Sequence, residues 1–109
     1  MFSEFSSIVI PDGLLTIGDE AFRDQHYLHH VTLPDSLTYI GYRAFDNCYN
    51  LESIFIPSSV AYVGSEAFSG CSGLSRSTIY CQASSLPSSW EEDWNPDNIP
   101  VVWGYSPEA

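Results

Sequence analysis

The chain has 109 residues, 44% hydrophobic and 16% charged, which suits one folded domain and not a disordered chain. It carries 14 Asp and Glu against 3 Arg and no Lys, a formal net charge of −11. That balance excludes direct nucleic-acid binding and an anionic membrane partner, since both need Lys and Arg to neutralise phosphate. It leaves a basic partner, or simply high solubility, as its consequence.

The opening residues, Met1-Phe2-Ser3-Glu4-Phe5, have neither the basic start nor the apolar run of a secretory leader. No stretch approaches the roughly 18 apolar residues of a membrane span, so membrane insertion is not expected. The expected location is the cell surface or the exterior if the chain is a piece of a longer protein. It is the cytoplasm if Met1 is the true start. Three cysteines cannot all pair within one chain, which rules out a dense disulfide scaffold.

From Phe5 onward the chain repeats itself every 23 residues. Pro11, Pro34 and Pro57 share this step, as do Phe5, Leu28, Leu51 and Leu74. So do Ile8, Val31 and Ile54, and then Ile10, Leu33, Ile56 and Ile79. Leu14, Leu37 and Val60 follow, then Ile17, Ile40 and Val63. Gly18, Gly41 and Gly64 come next, then Ala21, Ala44 and Ala67, and Phe22, Phe45 and Phe68. The apolar columns persist while the residues between them vary, the mark of a solenoid.

One unit, Leu28 to Asn50, shows the local physics. Leu28, Val31 and Leu33 fit the L-x-x-L-x-L pattern of a leucine-rich repeat strand. Val31 and Leu33 share one face of a short strand, while His30 and Thr32 point the other way. Pro34 has no N–H and ends the ladder. Leu37 and Ile40 return to the core, Gly41 suits a tight turn or the close approach of the next coil, and Ala44 and Phe45 come from a short helical or 3₁₀ turn. Stacked units share one core through parallel strands about 4.8 Å apart.

The fold expected is therefore a leucine-rich repeat solenoid within a single domain, 1–109. Three full units span 5–27, 28–50 and 51–73, the strand of a fourth runs from Leu74 through Ile79, and the repeats as a whole cover 5–80. A two-residue insertion within any unit is expected to break the stack. Residues 81–109, with Trp90, Trp94, Trp103 and Tyr105, read as an aromatic C-terminal cap over the last coil, with Val101-Val102-Trp103 as a final strand.

The succession Ile56-Pro57, Val60, Val63-Gly64, Ala67-Phe68, Cys71, Leu74 resembles the BspA-type leucine-rich repeat family. The resemblance covers roughly 5–80, and the tryptophan-rich tail is similar to the C-terminal ends of some bacterial members. In the first unit Gln25 stands where the family pattern has cysteine. The resemblance implies a binding role, adhesion to host proteins or other cells, and supplies no catalytic residue and no cofactor.

Cys48 and Cys71 hold equivalent positions in successive coils, at a separation that permits a disulfide in principle. The family pattern favours a buried, reduced thiol pair filling a tight column. His26, His29 and His30 are the one cluster of metal-ligand type. His29 and His30 point to opposite strand faces, so convergence on a metal is not expected. Glu91, Glu92, Asp93 and Asp97 form an acidic patch in the cap, without the Gly-centred loop of a calcium site. It reads as a solvated rim or as a docking patch for a basic protein. No Gly-x-Ser-x-Gly elbow and no phosphate-cradling Gly loop is present, so no residue supports an enzyme.

The surface columns remain. Ser7, His30, Ser53 and Arg76 are expected in one outward strand column and Val9, Thr32, Phe55 and Thr78 in the next. Tyr39 and Tyr62 are expected to stack as an exposed pair after Thr16. Phe55, Tyr39 and Tyr62 are the candidate anchors of a protein interface, with His30, Thr32, Arg76, Glu91, Glu92 and Asp93 around them. The alternative role for the tyrosines is to shield the sheet.

Two functions follow from these residues. The first is a protein-binding module, adhesin-like, facing a host or cell-surface protein. The second is a small acidic inhibitor that mimics nucleic acid and blocks a basic nucleic-acid-binding protein, as anti-CRISPR proteins of phage do. Strong salt dependence of binding marks the second.

Overall fold

The computed structural model describes residues 7–75 and 78–106. In chain order its elements are β1 (Ser7–Val9), β2 (Thr16–Ile17), β3 (His30–Thr32), β4 (Tyr39–Ile40), β5 (Ser53–Ile56), β6 (Tyr62–Val63), α1 (Ser72–Ser75), β7 (Thr78–Cys81) and β8 (Val101–Val102). The strands form two parallel sheets, one of five in the order β1-β3-β5-β7-β8 and one of three in the order β2-β4-β6. Every pair joins consecutive coils, and the first three strands of each sheet keep the 23-residue step: Val31 faces Ile8 and Ile54, and Ile40 faces Ile17 and Val63. The chain is a β-solenoid of leucine-rich repeats with almost no helix.

A third ladder runs along the side opposite the strands. Glu20, Phe22 and Asp24 donate their N–H groups to the carbonyls of Tyr42, Ala44 and Asp46. Arg43, Phe45 and Asn47 do the same to Ser65, Ala67 and Ser69. The turn expected around Ala44 and Phe45 is a run of turn bonds, Ala44 to Gly41, Asp46 to Arg43 and Cys48 to Phe45, rather than a continuous helix. It is broken at fixed positions by left-handed residues: Glu20, Arg43 and Glu66 in one column, Asp24, Asn47 and Gly70 in another. Each carries a positive φ, which reverses the local curl and keeps alternate N–H groups aimed at the next coil.

The core lies between these three sides. Leu37, Ile40, Ala44, Phe45, Leu51, Val63, Ala67, Phe68 and Leu74 are completely buried, and no polar or charged residue is buried among the described residues. Phe22, Phe45 and Phe68 stack nearly parallel, with centroids 5.3 and 5.4 Å apart and planes within 5° and 3°. A ring in the middle of such a stack contributes about 3–5 kcal/mol relative to alanine.

The glycine column follows from close approach. A Cβ on Gly41 would lie 2.5 Å from Asp19 Oδ1 and 2.8 Å from the Gly18 carbonyl carbon. On Gly64 it would lie 2.6 Å from the Tyr42 nitrogen. Gly18, in the first described coil, meets nothing within 4 Å.

Two expectations are corrected at the fourth strand. Its partners are not one 23-residue step away: Ile54 pairs with Ile79 and Ile56 with Cys81. Ile79 therefore belongs to the column of Val31 and Ile54, and the column of Leu33 and Ile56 ends in Cys81, a buried core residue rather than a thiol of the cap. Two extra residues have entered the corner after Leu74, where α1 forms, and the stack is intact. An even insertion keeps every side chain on its own face, because strand side chains alternate with a period of two.

The cap is built as one more coil. Glu91 N–H donates to the Val63 carbonyl just as Gly64 does to Ile40 and Gly41 to Ile17, so Trp90 takes the place of Ile17, Ile40 and Val63. Glu66 N–H donates to the Asp93 carbonyl, continuing the third ladder. β8 pairs with β7, continuing the larger sheet as expected of Val101 and Val102. Trp90 and Trp94 are buried, Trp103 packs against both, and Trp90 Nε1 donates to the Val60 carbonyl at 3.3 Å.

Candidate functional site

Charge is sorted by side. None of the eight strands contains Asp, Glu, Lys or Arg, and the described carboxylates sit in the corners, at the start of β5 or in the cap. The reason is local: strands here are two to four residues long, half of them turned inward, and polar corner residues make the turns. The strands of the two sheets thus add no carboxylate and no Lys or Arg to their outer faces, and the charge that borders those faces comes from the corners and the cap.

On the larger sheet the outward row runs Val9, Thr32, Phe55, Tyr80, Val102. This replaces the expected column: the two-residue shift puts Tyr80, not Thr78, beside Phe55. Thr78 stands instead beside Ser53, in the column assigned to Arg76. Arg76 itself lies outside the described residues. Phe55 is half-buried because Tyr105, returning from the cap, meets its ring edge-on at 6.0 Å and rests on Tyr80 at 4.5 Å. Tyr105 N–H donates to the Cys81 carbonyl, which fixes that return. Thr32 is exposed in the same row, and Val9 at its far end is 74% exposed. His30 is exposed in the neighbouring column, its Nε2 3.7 Å from Glu52 Oε1.

On the smaller sheet Tyr39 and Tyr62 stack as expected, centroids 4.9 Å apart and planes 18° from parallel. The Tyr62 hydroxyl donates to Glu91 Oε2 at 2.9 Å. That bond first, then burial and the charges of Glu91, Tyr39 and Asp19, hold its pKa above the usual phenol value.

The cap carboxylates do more than form a rim. Glu91 receives the Tyr62 hydroxyl, Asp93 the Ser65 hydroxyl, and Asp97 the Gly70 N–H at 2.8 Å. These three tie the last coil to the one before it, and Glu92 is the exposed member without such a bond among the described residues. The acids nearer the first coils pair with the described arginines: Arg23 with Glu20 and Asp46, each at 3.0 Å, and Arg43 with Glu66 at 2.7 Å. The Glu66 bond raises the Arg43 pKa.

The histidines do not converge. His26 stacks on Tyr49 at 4.5 Å, His29 Nδ1 donates to the Tyr27 carbonyl, and His30 faces Glu52. No group of three metal-binding side chains occurs among the described residues, and no described helix is long and apolar enough to cross a membrane. Cys48, Cys71 and Cys81 are free and buried. The first two donate Sγ–H to the carbonyls of Phe22 and Phe45, one coil back. Burial pushes the thiols up, Cys48 to about 11 and Cys71 and Cys81 to about 12. Protonated at neutral pH, all three are poor nucleophiles, and Cys48 and Cys71 tie their coils to the one before. Tyr80 and Asp19 are not singled out by sequence, and Tyr105 is read there only as part of the cap; an outward aromatic off the 23-residue step is the signal that Tyr80 offers.

The comparisons with known proteins agree with this geometry. A crystal structure of a leucine rich cell surface protein from Faecalibacterium prausnitzii A2-165 superposes with a TM-score of 0.69 at 39% identity, over 81% of this chain and 22% of that one. The chain thus spans about a fifth of that longer protein. No curated protein matches. The family described as BspA type leucine rich repeat region matches residues 1–91 in six copies, and the chain belongs to that family.

Proposed function

We propose that the chain is a non-enzymatic protein-binding module whose docking surface is the outward row of the larger sheet. Phe55, flanked by Tyr80 and Tyr105, is its anchor. Thr32 and His30 are the polar flank. The observation that carries the reading is this aromatic, carboxylate-free row on a chain of net charge −11. Rigid aromatics on a parallel sheet contribute contact area at little entropic cost, which is how interface anchors work.

The likeness to a leucine rich cell surface protein supports an adhesin-like role at the cell surface or outside the cell. The reading is tested by immobilising the chain, offering it host extracellular and surface proteins, and comparing retention at two salt concentrations with Phe55→Ala and Tyr80→Ala. Retention that survives high salt and falls at least tenfold in affinity with either variant supports it. Retention unaffected by both variants sinks it.

The acidic-inhibitor reading draws on the exposed corner carboxylates and Glu92. Three of the four acids in its best patch, Glu91, Asp93 and Asp97, are occupied in holding the cap. A salt-sensitive, basic nucleic-acid-binding protein retained in the same experiment selects it instead.

A further inference from the structure

We propose that the outer face of the smaller sheet receives an arginine side chain from a basic protein segment, its guanidinium lying on the open face of Tyr39 above Thr16. This face is separate from the Phe55 row, so the inference stands or falls independently of the reading above.

The site begins with ring geometry. Strands β2, β4 and β6 stack Thr16, Tyr39 and Tyr62 in one outward column. Tyr62 covers one face of Tyr39. The other face looks toward Thr16, a side chain too small to cover a phenol ring, and Tyr39 stays 38% exposed. The result is a slot one side chain deep with an aromatic wall. The wall is stiff, because Tyr39 is stacked on Tyr62, whose hydroxyl is held by Glu91.

Charge then selects the occupant. Asp19 lies three residues after Thr16 on the same coil, where its Oδ1 accepts the Tyr42 N–H. Glu91 accepts the Tyr62 hydroxyl at one end of the column and Asp19 follows Thr16 at the other, so a carboxylate borders each end of the tyrosine pair. Both described arginines are already paired, Arg23 with Glu20 and Asp46, Arg43 with Glu66, and the chain has no lysine. The face is aromatic and negative, with no described cation of its own assigned to it.

The molecule shows the same recognition internally. The Arg43 guanidinium lies 5.1 Å from the centre of the Tyr42 ring while Nε donates to Glu66 at 2.7 Å. A tyrosine with a neighbouring carboxylate therefore already holds an arginine on this solenoid. Arginine suits the slot better than lysine, because its planar, weakly hydrated guanidinium stacks on a ring while its edge donates to carboxylates.

The test titrates peptides of six arginines, six lysines and alternating Gly-Ser into the full chain at low and physiological salt, with calorimetry and NMR of the tyrosine rings. The expected result is hexa-arginine binding at least threefold tighter than hexalysine, with shifts centred on Tyr39 and no binding of the neutral peptide. Tyr39→Ala is expected to weaken hexa-arginine at least fivefold. Thr16→Tyr, which fills the slot and lengthens the ring stack without removing a core group, is expected to do the same, and Phe55→Ala to leave binding unchanged. Equal binding of the two basic peptides, or full binding by a folded Thr16→Tyr, would mean that diffuse negative charge alone attracts them and would overturn the proposal.

Discussion

Phe68 meets the indole of Trp94 edge-on, centroids 6.1 Å apart and planes at 85°, although it lies within 3° of parallel to Phe45 on its other side. The phenylalanine stack is thereby closed: a ring edge on the last face leaves no parallel surface for another ring. Trp94→Ala uncovers Phe68 and opens a void among Trp90 and Trp103. The expected loss is about 3–5 kcal/mol, seen as a lower urea midpoint, with amide exchange rising first in residues 78–106. Uniform exchange along the chain would show that the cap is not a separate layer of stability.

Gly41→Ala and Gly18→Ala look alike in sequence and differ in space. The first drives a methyl into backbone of the preceding coil, which cannot yield without breaking the ladder. It is expected to cost about 1–3 kcal/mol. The second meets open space and is expected to stay within about 0.5 kcal/mol of the parent. Thermal melts of the two variants check the contrast.

Asp97→Ala removes the acceptor of the Gly70 N–H. By analogy with a lost helix cap the cost is about 1 kcal/mol, and Asp97→Asn, which keeps an acceptor oxygen, is expected to recover most of it. Chemical denaturation of the two side by side separates loss of the bond from loss of charge.

The buried thiols set an alkaline limit. Their folded pKa values, about 11 for Cys48 and about 12 for Cys71 and Cys81, lie above the free value of about 9, because burial penalises the thiolate. The folded state therefore holds these protons more tightly than the unfolded one. The associated stability is complete below pH 9 and is lost as pH rises through 9 toward 12. A denaturation midpoint that falls across this window, with a thiol reagent reacting only as the chain unfolds, is the expected outcome. Replacing the three cysteines by alanine should flatten the dependence.

Much of this was legible because Phe22, Phe45 and Phe68 stack ring on ring from coil to coil, and because Gly41 and Gly64 each lie too close to the preceding coil for a Cβ. The fourth strand was misread because Ile79 points inward under either register, so the pattern alone does not detect a shift of two. Glu20, Arg43 and Glu66 gave no sign of their positive φ, since neither Glu nor Arg prefers it; Asp24, Asn47 and Gly70 are types that do. The cap bonds of Glu91, Asp93 and Asp97 fall at separations of 27 to 29 residues, off the 23-residue step. Tyr105 reaches Phe55 only through the turn that follows β8, a contact no periodicity encodes.

The three ladders have a mechanical consequence. All their hydrogen bonds run from coil to coil, along the solenoid axis, so tension applied along that axis loads one coil boundary at a time instead of shearing many bonds together. Such a chain yields by peeling, each 23-residue coil releasing on the order of 80 Å of extended polypeptide. A tether of this kind lengthens in steps under load and absorbs a pull, while the coils still stacked keep their surfaces intact.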